Sequence, residues 1–139
     1  MCGISGIFNI LNQPIPQLNS KLDTLNNLLS HRGPDNSGIW KSSNSSVGLA
    51  HTRLSIIDLN DRANQPMISD KNNIISFNGE IYNFKILKKE LSNSYNFKSN
   101  SDTEVILAGY EKKGKNFFKE LNGMFAFALW DEKKKNYFV

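Results

Sequence analysis

Met1-Cys2-Gly3-Ile4-Ser5-Gly6-Ile7-Phe8 opens the chain and contains its single cysteine. From Ile4 to Ile10 the residues are apolar, short in run and rich in β-branched side chains, which predicts a buried strand. Cys2 then stands at the start of a core strand, where a rigid element holds a thiol better than a fraying tail does. A cysteine is small enough for Met1 to be removed in maturation, which leaves a thiol and a free α-amine on one residue. Unperturbed thiols titrate at about 8.5 and α-amines at roughly 7.7–8.0, so the two exchange a proton readily near neutral pH. Activation of a nucleophile by the N-terminal amine is an established form of covalent catalysis. On these residues alone, however, a small hydrophobe packed behind a start codon explains Cys2 better.

The 139 residues make one domain or an incomplete piece of a larger one. Apolar residues are 39% and charged residues 22%, a globular balance. The net charge of +4 comes from Lys88-Lys89, Lys112-Lys113 and Lys133-Lys134-Lys135, interleaved with Glu90, Glu111 and Glu132. Charges scattered in this way describe a solvated surface rather than a nucleic-acid footprint. No apolar run reaches the roughly 18 residues of a membrane span, and no basic-then-apolar leader opens the chain. One cysteine closes no internal disulfide, which fits a reducing compartment. The expectation is a cytoplasmic chain without nucleic-acid or membrane partners. No metal-ligand cluster or phosphate-binding glycine loop is visible.

Leu18, Leu22, Leu25, Leu28 and Leu29 recur at helical spacing and predict an amphipathic helix ending near Ser30. The loop His31-Arg32-Gly33-Pro34-Asp35-Asn36-Ser37-Gly38 follows. Its residues are turn formers, and they equally suit a site wall. Ile39-Trp40 and Val47–Ser55 read as adjacent strands. Arg53 interrupts the second, either snorkelling to the surface or gripping a carboxylate with its fork. Asp58–Asp70 is a polar loop containing Gln65-Pro66-Met67.

Ile74–Phe77 is a strand ending in Asn78-Gly79-Glu80-Ile81-Tyr82. Asn-Gly between apolar runs is the strongest short-range hairpin signal. Phe84, Leu87 and Leu91 nevertheless follow at helical spacing, which favours a passage from strand through turn into helix. At such a junction the Asn78 amide and the Gly79 N–H can converge on one spot, as an oxyanion requires. The hairpin stays open as the alternative. Ser101-Asp102-Thr103-Glu104 fits a capping box, with Asp102 at the first helical position, where the macrodipole favours an acid. Asp102 could equally hold an ammonium group. Asn116–Leu121 reads as a short helix, Gly123–Trp130 as a central strand, Asp131–Asn136 as a charged turn, and Tyr137-Phe138-Val139 as the start of one more strand.

Five motifs then stand in a recognisable order: Met-Cys-Gly-Ile-Ser-Gly-Ile-Phe, His-Arg-Gly-Pro-Asp-Asn-Ser-Gly, Leu-Ala-His-Thr-Arg-Leu-Ser-Ile-Ile-Asp-Leu, Phe-Asn-Gly-Glu-Ile-Tyr-Asn and Ser-Asp-Thr-Glu-Val-Ile-Leu. Across Met1–Val139 the sequence resembles the N-terminal glutaminase domain of glutamine-hydrolysing asparagine synthetases, a class II glutamine amidotransferase. The resemblance implies an α+β N-terminal-nucleophile hydrolase fold, a four-layer αββα sandwich of antiparallel sheets, here C-terminally incomplete. It implies that Cys2, freed of Met1, attacks the side-chain amide of glutamine, releasing ammonia and then glutamate through a thioester. It assigns Arg53 to the α-carboxylate, Asp102 to the α-ammonium, and Asn78 and Gly79 to the oxyanion hole. Leu54, Ser55, Ile56, Ile57 and Glu80 would line the pocket. The His31–Asp35 loop would lie close by, with no assigned role.

The same resemblance implies a partner, a synthetase domain that uses ATP and Mg to activate aspartate and is absent from these 139 residues. The glutaminase step needs no cofactor and no metal. The resemblance leaves open a homodimer and an acceptor other than aspartate, such as a sugar or a peptide. A degenerate, inactive interaction module is the rival expectation.

Overall fold

The β-rich stretches pair into two separate antiparallel sheets. The computed structural model describes residues 1–56, 58 and 60–139. In the first sheet β1 (Gly3–Phe8) and β2 (Asn36–Lys41) flank β3 (Val47–Arg53). The register sets Gly3 opposite Thr52, and Asn36 opposite Arg53. In the second, β4 (Met67–Ile68), β5 (Asn73–Ile81), β6 (Gly123–Asp131) and β7 (Asn136–Phe138) lie side by side in that order.

Period-two alternation then distributes side chains between layers. Val47, Leu49, Ile74 and Trp130 fill the space between the sheets, with Phe8 and Trp40 packed against them. On the outer face of the first sheet, Ala50 and Ile7 meet Leu18 and Leu22 of α1 (Leu18–Leu29). On the outer face of the second, Ile75, Phe77, Ile81 and Leu129 meet α2 (Phe84–Leu91), α3 (Asp102–Lys113) and Phe117 of the 3₁₀ segment Gly114–Glu120. The result is the expected α+β, four-layer αββα sandwich. No helix among the described residues is long and apolar enough to cross a membrane.

Several boundaries differ from expectation. β1 ends at Phe8, and Ile10 is exposed; β3 ends at Arg53 rather than Ser55. β2 begins at Asn36, inside the expected loop. Asn78-Gly79 forms neither a hairpin nor a turn, because β5 runs straight through it and pairs with β6 up to Ile81 opposite Gly123. The turn into α2 falls at Tyr82-Asn83 instead. Gly79 has φ +151°, and a Cβ there would lie 2.3 Å from the Met124 carbonyl oxygen. The glycine serves a close strand approach rather than a reversal. Half of the capping box is made: Ser101 Oγ accepts the Thr103 N–H, whereas Glu104 turns to the N–H groups of Lys98 and Ser99. β6 is an inner strand, yet Met124, Phe125 and Ala126 are exposed because β7 pairs only with Leu129–Asp131.

In α1, Leu22 is fully buried while Leu28 is 66% exposed. At 3.6 residues per turn Leu28 lies about 120° around the helix from Leu22. Asn26, closer to Leu22's direction, is buried in its stead and donates to the Gly38 carbonyl at 3.0 Å. Leu22→Ala is expected to cost about 2–5 kcal/mol in urea unfolding, and Leu28→Ala no more than about 0.5. Equal costs would contradict this packing.

Candidate active site

The strand register brings the N-terminus to the end of β3. Gly3 pairs with Thr52, so Cys2 comes alongside Arg53 and Leu54. The Leu54 N–H points at Cys2 Sγ at 3.4 Å, and the thiol lies 3.7 Å from the Leu54 carbonyl oxygen. Arg32 Nε donates to the Cys2 carbonyl at 3.0 Å. Asp35 accepts the Ser55 N–H at 2.7 Å, and its own N–H donates to the Arg53 carbonyl at 3.0 Å. Gly33 lies so close to β3 that a Cβ would stand 2.3 Å from the Thr52 carbonyl oxygen. The His31–Asp35 loop therefore buttresses both Cys2 and the segment after Arg53.

Cys2 opens onto a cavity of about 220 Å3 between the sheets and the start of α3. Met1, Arg53, Leu54, Ile56, Asn78, Gly79, Glu80 and Asp102 share its wall. Ser55 does not: its N–H is turned to Asp35, which draws that residue away. Ile57 lies outside the described residues. Sequence reasoning missed Ala63, Gln65, Phe77, Ser101, Thr103 and Met124, which also line the cavity. Phe77, Ser101 and Thr103 stand inside quoted motifs but read as strand and helix-cap residues, and nothing local marks Ala63, Gln65 or Met124. While Met1 is present, the Cys2 nitrogen is an amide and carries no basic lone pair.

Arg53 is buried and does not snorkel. Its guanidinium donates to the Asn60 carbonyl at 3.2 Å, to Asn64 Oδ1 at 2.6 Å and to the Asp58 carbonyl. Among the described residues these bonds take three of its five donors. The Asp58 carboxylate is held well below the usual range, first by the Asn100 N–H and then by the Asn60 amide. The loop that grips Arg53 is thus tied to the chain just before α3.

β5 supplies the opposite wall. Ile74 and Ser76 face the first sheet, the latter through a 3.1 Å bond to the Ala50 carbonyl, and Asn78 shares their side by alternation. Along the edge turned away from β6, Phe77 N–H donates to Gln65 Oε1 at 2.6 Å and Ile81 N–H to Asp102 Oδ2 at 3.0 Å. The N–H of Gly79 falls between them on that same edge. Asn78 and Gly79 thus bring a side-chain amide and a backbone N–H to the wall that they share with Cys2.

Asp102 is 4% exposed at the first position of α3. Burial raises its pKa; the Ile81 and Thr103 N–H bonds oppose the shift, and the Glu80 charge adds to it. A cation placed against this carboxylate would relieve that cost. No group of three or more His, Cys, Asp or Glu side chains among the described residues is close enough to hold a metal ion.

His51, on the inner face beside this cavity, is buried, and its Nε2 lies 3.1 Å from the Phe77 carbonyl oxygen. A carbonyl only accepts, so Nε2 carries the proton. Burial pulls the His51 pKa from 6.5 to about 4; the Phe77 bond opposes the shift and the Arg53 charge reinforces it.

One cavity thus gathers a cysteine thiol, a buried guanidinium and a buried carboxylate on an N-terminal-nucleophile hydrolase fold. The model of the glutamine amidotransferase domain family matches residues 1–139, and the chain belongs to that family. It is 45% identical to asparagine synthetase B [glutamine-hydrolyzing] of Escherichia coli K12, over all of this chain and 24% of that protein. It is 41% identical to amidase chry2 of Gibberella zeae, over 97% of this chain and 22% of that one. A putative asparagine synthetase [glutamine-hydrolyzing] 2 of Methanocaldococcus jannaschii is 38% identical, over 96% and 28%. The chain thus spans about a quarter of these relatives' length and is homologous to the glutaminase half of such synthetases. In fold it matches the glutamine phosphoribosylpyrophosphate amidotransferase of B. subtilis with a TM-score of 0.74 at 20% identity, over 95% of this chain and 35% of that one.

The His51 shift gives a signed prediction. Between pH 6.5 and about 4 the unfolded chain binds a proton that the native state refuses. Stability is therefore full above the unfolded value and falls as pH drops through this window, by at most about 3 kcal/mol. Asp58 adds a loss of the same sign only below the ordinary carboxylate value, whereas Asp102, raised above that value, acts oppositely above it and does so equally in wild type and variant. Urea midpoints should fall more steeply from pH 7 to 4.5 in wild type than in His51→Gln. Equal slopes would contradict the assignment.

Proposed function

We propose that this cavity hydrolyses the side-chain amide of glutamine, with Cys2 as nucleophile. The observation that carries the reading is that one cavity wall unites Cys2, Arg53, Asn78, Gly79 and Asp102. Arg53 offers its guanidinium to the α-carboxylate, and Asp102 a buried negative charge to the α-ammonium. Holding both ends of the amino acid directs its amide toward Cys2.

Once Met1 is removed, the Cys2 α-amine takes the thiol proton. Sulfur bonds to the amide carbon, and the carbonyl electron pair moves onto oxygen, where the Gly79 N–H and the Asn78 amide receive the charge. Collapse breaks the C–N bond, the α-ammonium returns its proton, and ammonia leaves a γ-glutamyl thioester. Water, deprotonated by the same amine, attacks the thioester; glutamate departs and the thiol is restored. This step uses no cofactor. The asparagine synthetase relatives support asparagine formation as the use of that ammonia; the acceptor would then be aspartate, activated with ATP and Mg in a synthetase domain.

Glutamate release from glutamine should vanish in Cys2→Ala and in protein whose N-terminal mass retains Met1. Release from either would overturn the mechanism. Asp102→Asn, which keeps the shape and removes the charge, should raise KM for glutamine about ten- to a hundredfold, as expected for loss of a charge-assisted bond. An unchanged KM would remove Asp102 from ammonium recognition.

A further inference from the structure

Gln65 and His51 have no task in the chemistry above, although both are buried, at 8% and 1% exposure. Both spend polar atoms on the same residue. Gln65 Oε1 accepts the Phe77 N–H at 2.6 Å while its Nε2 donates to Thr103 Oγ1 at 3.3 Å. His51 Nε2 donates to the Phe77 carbonyl at 3.1 Å. A neighbouring strand would ordinarily satisfy these backbone groups, but β4 pairs only with Ile74 and Ile75. Beyond that point two side chains from elsewhere in the chain replace the missing strand.

The location is what matters. The peptide unit that starts at the Phe77 carbonyl ends at the Asn78 nitrogen, so its plane sets where the Asn78 side chain departs. Gly79 follows, at φ +151°, in a region where glycine has unusual freedom. Donors that stabilise a developing charge must be aimed before the reaction, since reorientation during it costs rate.

We propose that Gln65 and His51 are positioning residues which, by clamping both polar groups of Phe77, aim the Asn78 side chain and the Gly79 N–H over Cys2. The assignment rests on hydrolysis of glutamine by Cys2. A packing role alone explains the pair poorly, because buried amide and imidazole groups cost stability that an apolar side chain of similar size would not. His51 Nδ1 even lacks a partner among the described residues, so this imidazole is kept at a cost for the sake of its other nitrogen. With the ring uncharged at neutral pH, the Nε2 proton stays committed to Phe77.

The test measures glutamate release against glutamine concentration in the full-length protein, with Cys2→Ala alongside. Gln65→Met and His51→Leu should lower kcat roughly ten- to a hundredfold, as for a misplaced catalytic group, with KM changed less than about threefold. Gln65→Glu keeps an acceptor for the Phe77 N–H, and His51→Gln keeps an N–H near the Nε2 position. Each should recover most of the loss. Apolar variants with unchanged kcat, or losses confined to KM, would overturn the proposal. Should the apolar variants fail to fold, the polar ones decide: kcat near wild type sustains it, and a tenfold loss at an unchanged melting temperature overturns it. Glutamate release surviving in Cys2→Ala would instead sink the underlying hydrolytic reading.

Discussion

The antiparallel register of β1 on β3 is the constraint on which the site depends. With Gly3 opposite Thr52, the residue before β1 meets the residues that end β3, and Cys2 lies against Leu54 beside Arg53. Strand side chains alternate, so a slip of one residue would turn the β1 side chains to the opposite face. The inter-sheet contacts of Leu49 and Phe8 and the α1 contacts of Ile7 and Ala50 each hold the observed register. The same packing that buries the core therefore aims the thiol. The His31–Asp35 loop adds a second hold through Arg32 on the Cys2 carbonyl and Asp35 on Ser55.

The second wall follows a different logic. α3 is buried from Asp102 to Tyr110, so its first turn brings carboxylates into the interior. Glu104 is satisfied by Lys98 and Ser99, including the Ser99 hydroxyl, and serves structure. Asp102 receives two backbone N–H groups yet still titrates above its ordinary range, because those bonds do not offset burial. Arg53 is anchored by a loop through three of its five donors among the described residues. An uncompensated anion and a partly committed cation on one cavity wall suit a zwitterion better than a neutral or singly charged ligand. Bound glutamine would complete what folding leaves unfinished.

Much of this was legible in the sequence where local patterns carry it. The leucine spacing located α1, and Ser101 with Asp102 located the start of α3. The motifs that resemble the glutaminase domain named Cys2, Arg53, Asn78, Gly79 and Asp102, and one cavity gathers them. Other features were hidden because they depend on contacts distant in sequence. Asn78-Gly79 carries a turn signal, but pairing with β6 overrides it and leaves the turn at Tyr82-Asn83. Ser55 leaves the cavity because Asp35, twenty residues earlier, takes its N–H. Gln65 stands in no quoted motif, and His51, though inside Leu-Ala-His-Thr-Arg-Leu-Ser, carries no local sign of its partner. Their meaning comes from a strand edge that β4 is too short to cover.

The central claim is that Cys2, and only after loss of Met1, becomes acylated by glutamine. The most direct measurement is the mass of the acid-quenched protein and of its N-terminal peptide during turnover. A single γ-glutamyl adduct on Cys2, confined to chains lacking Met1, is the predicted result. Turnover with the adduct on another residue, or an adduct on chains that retain Met1, would contradict it.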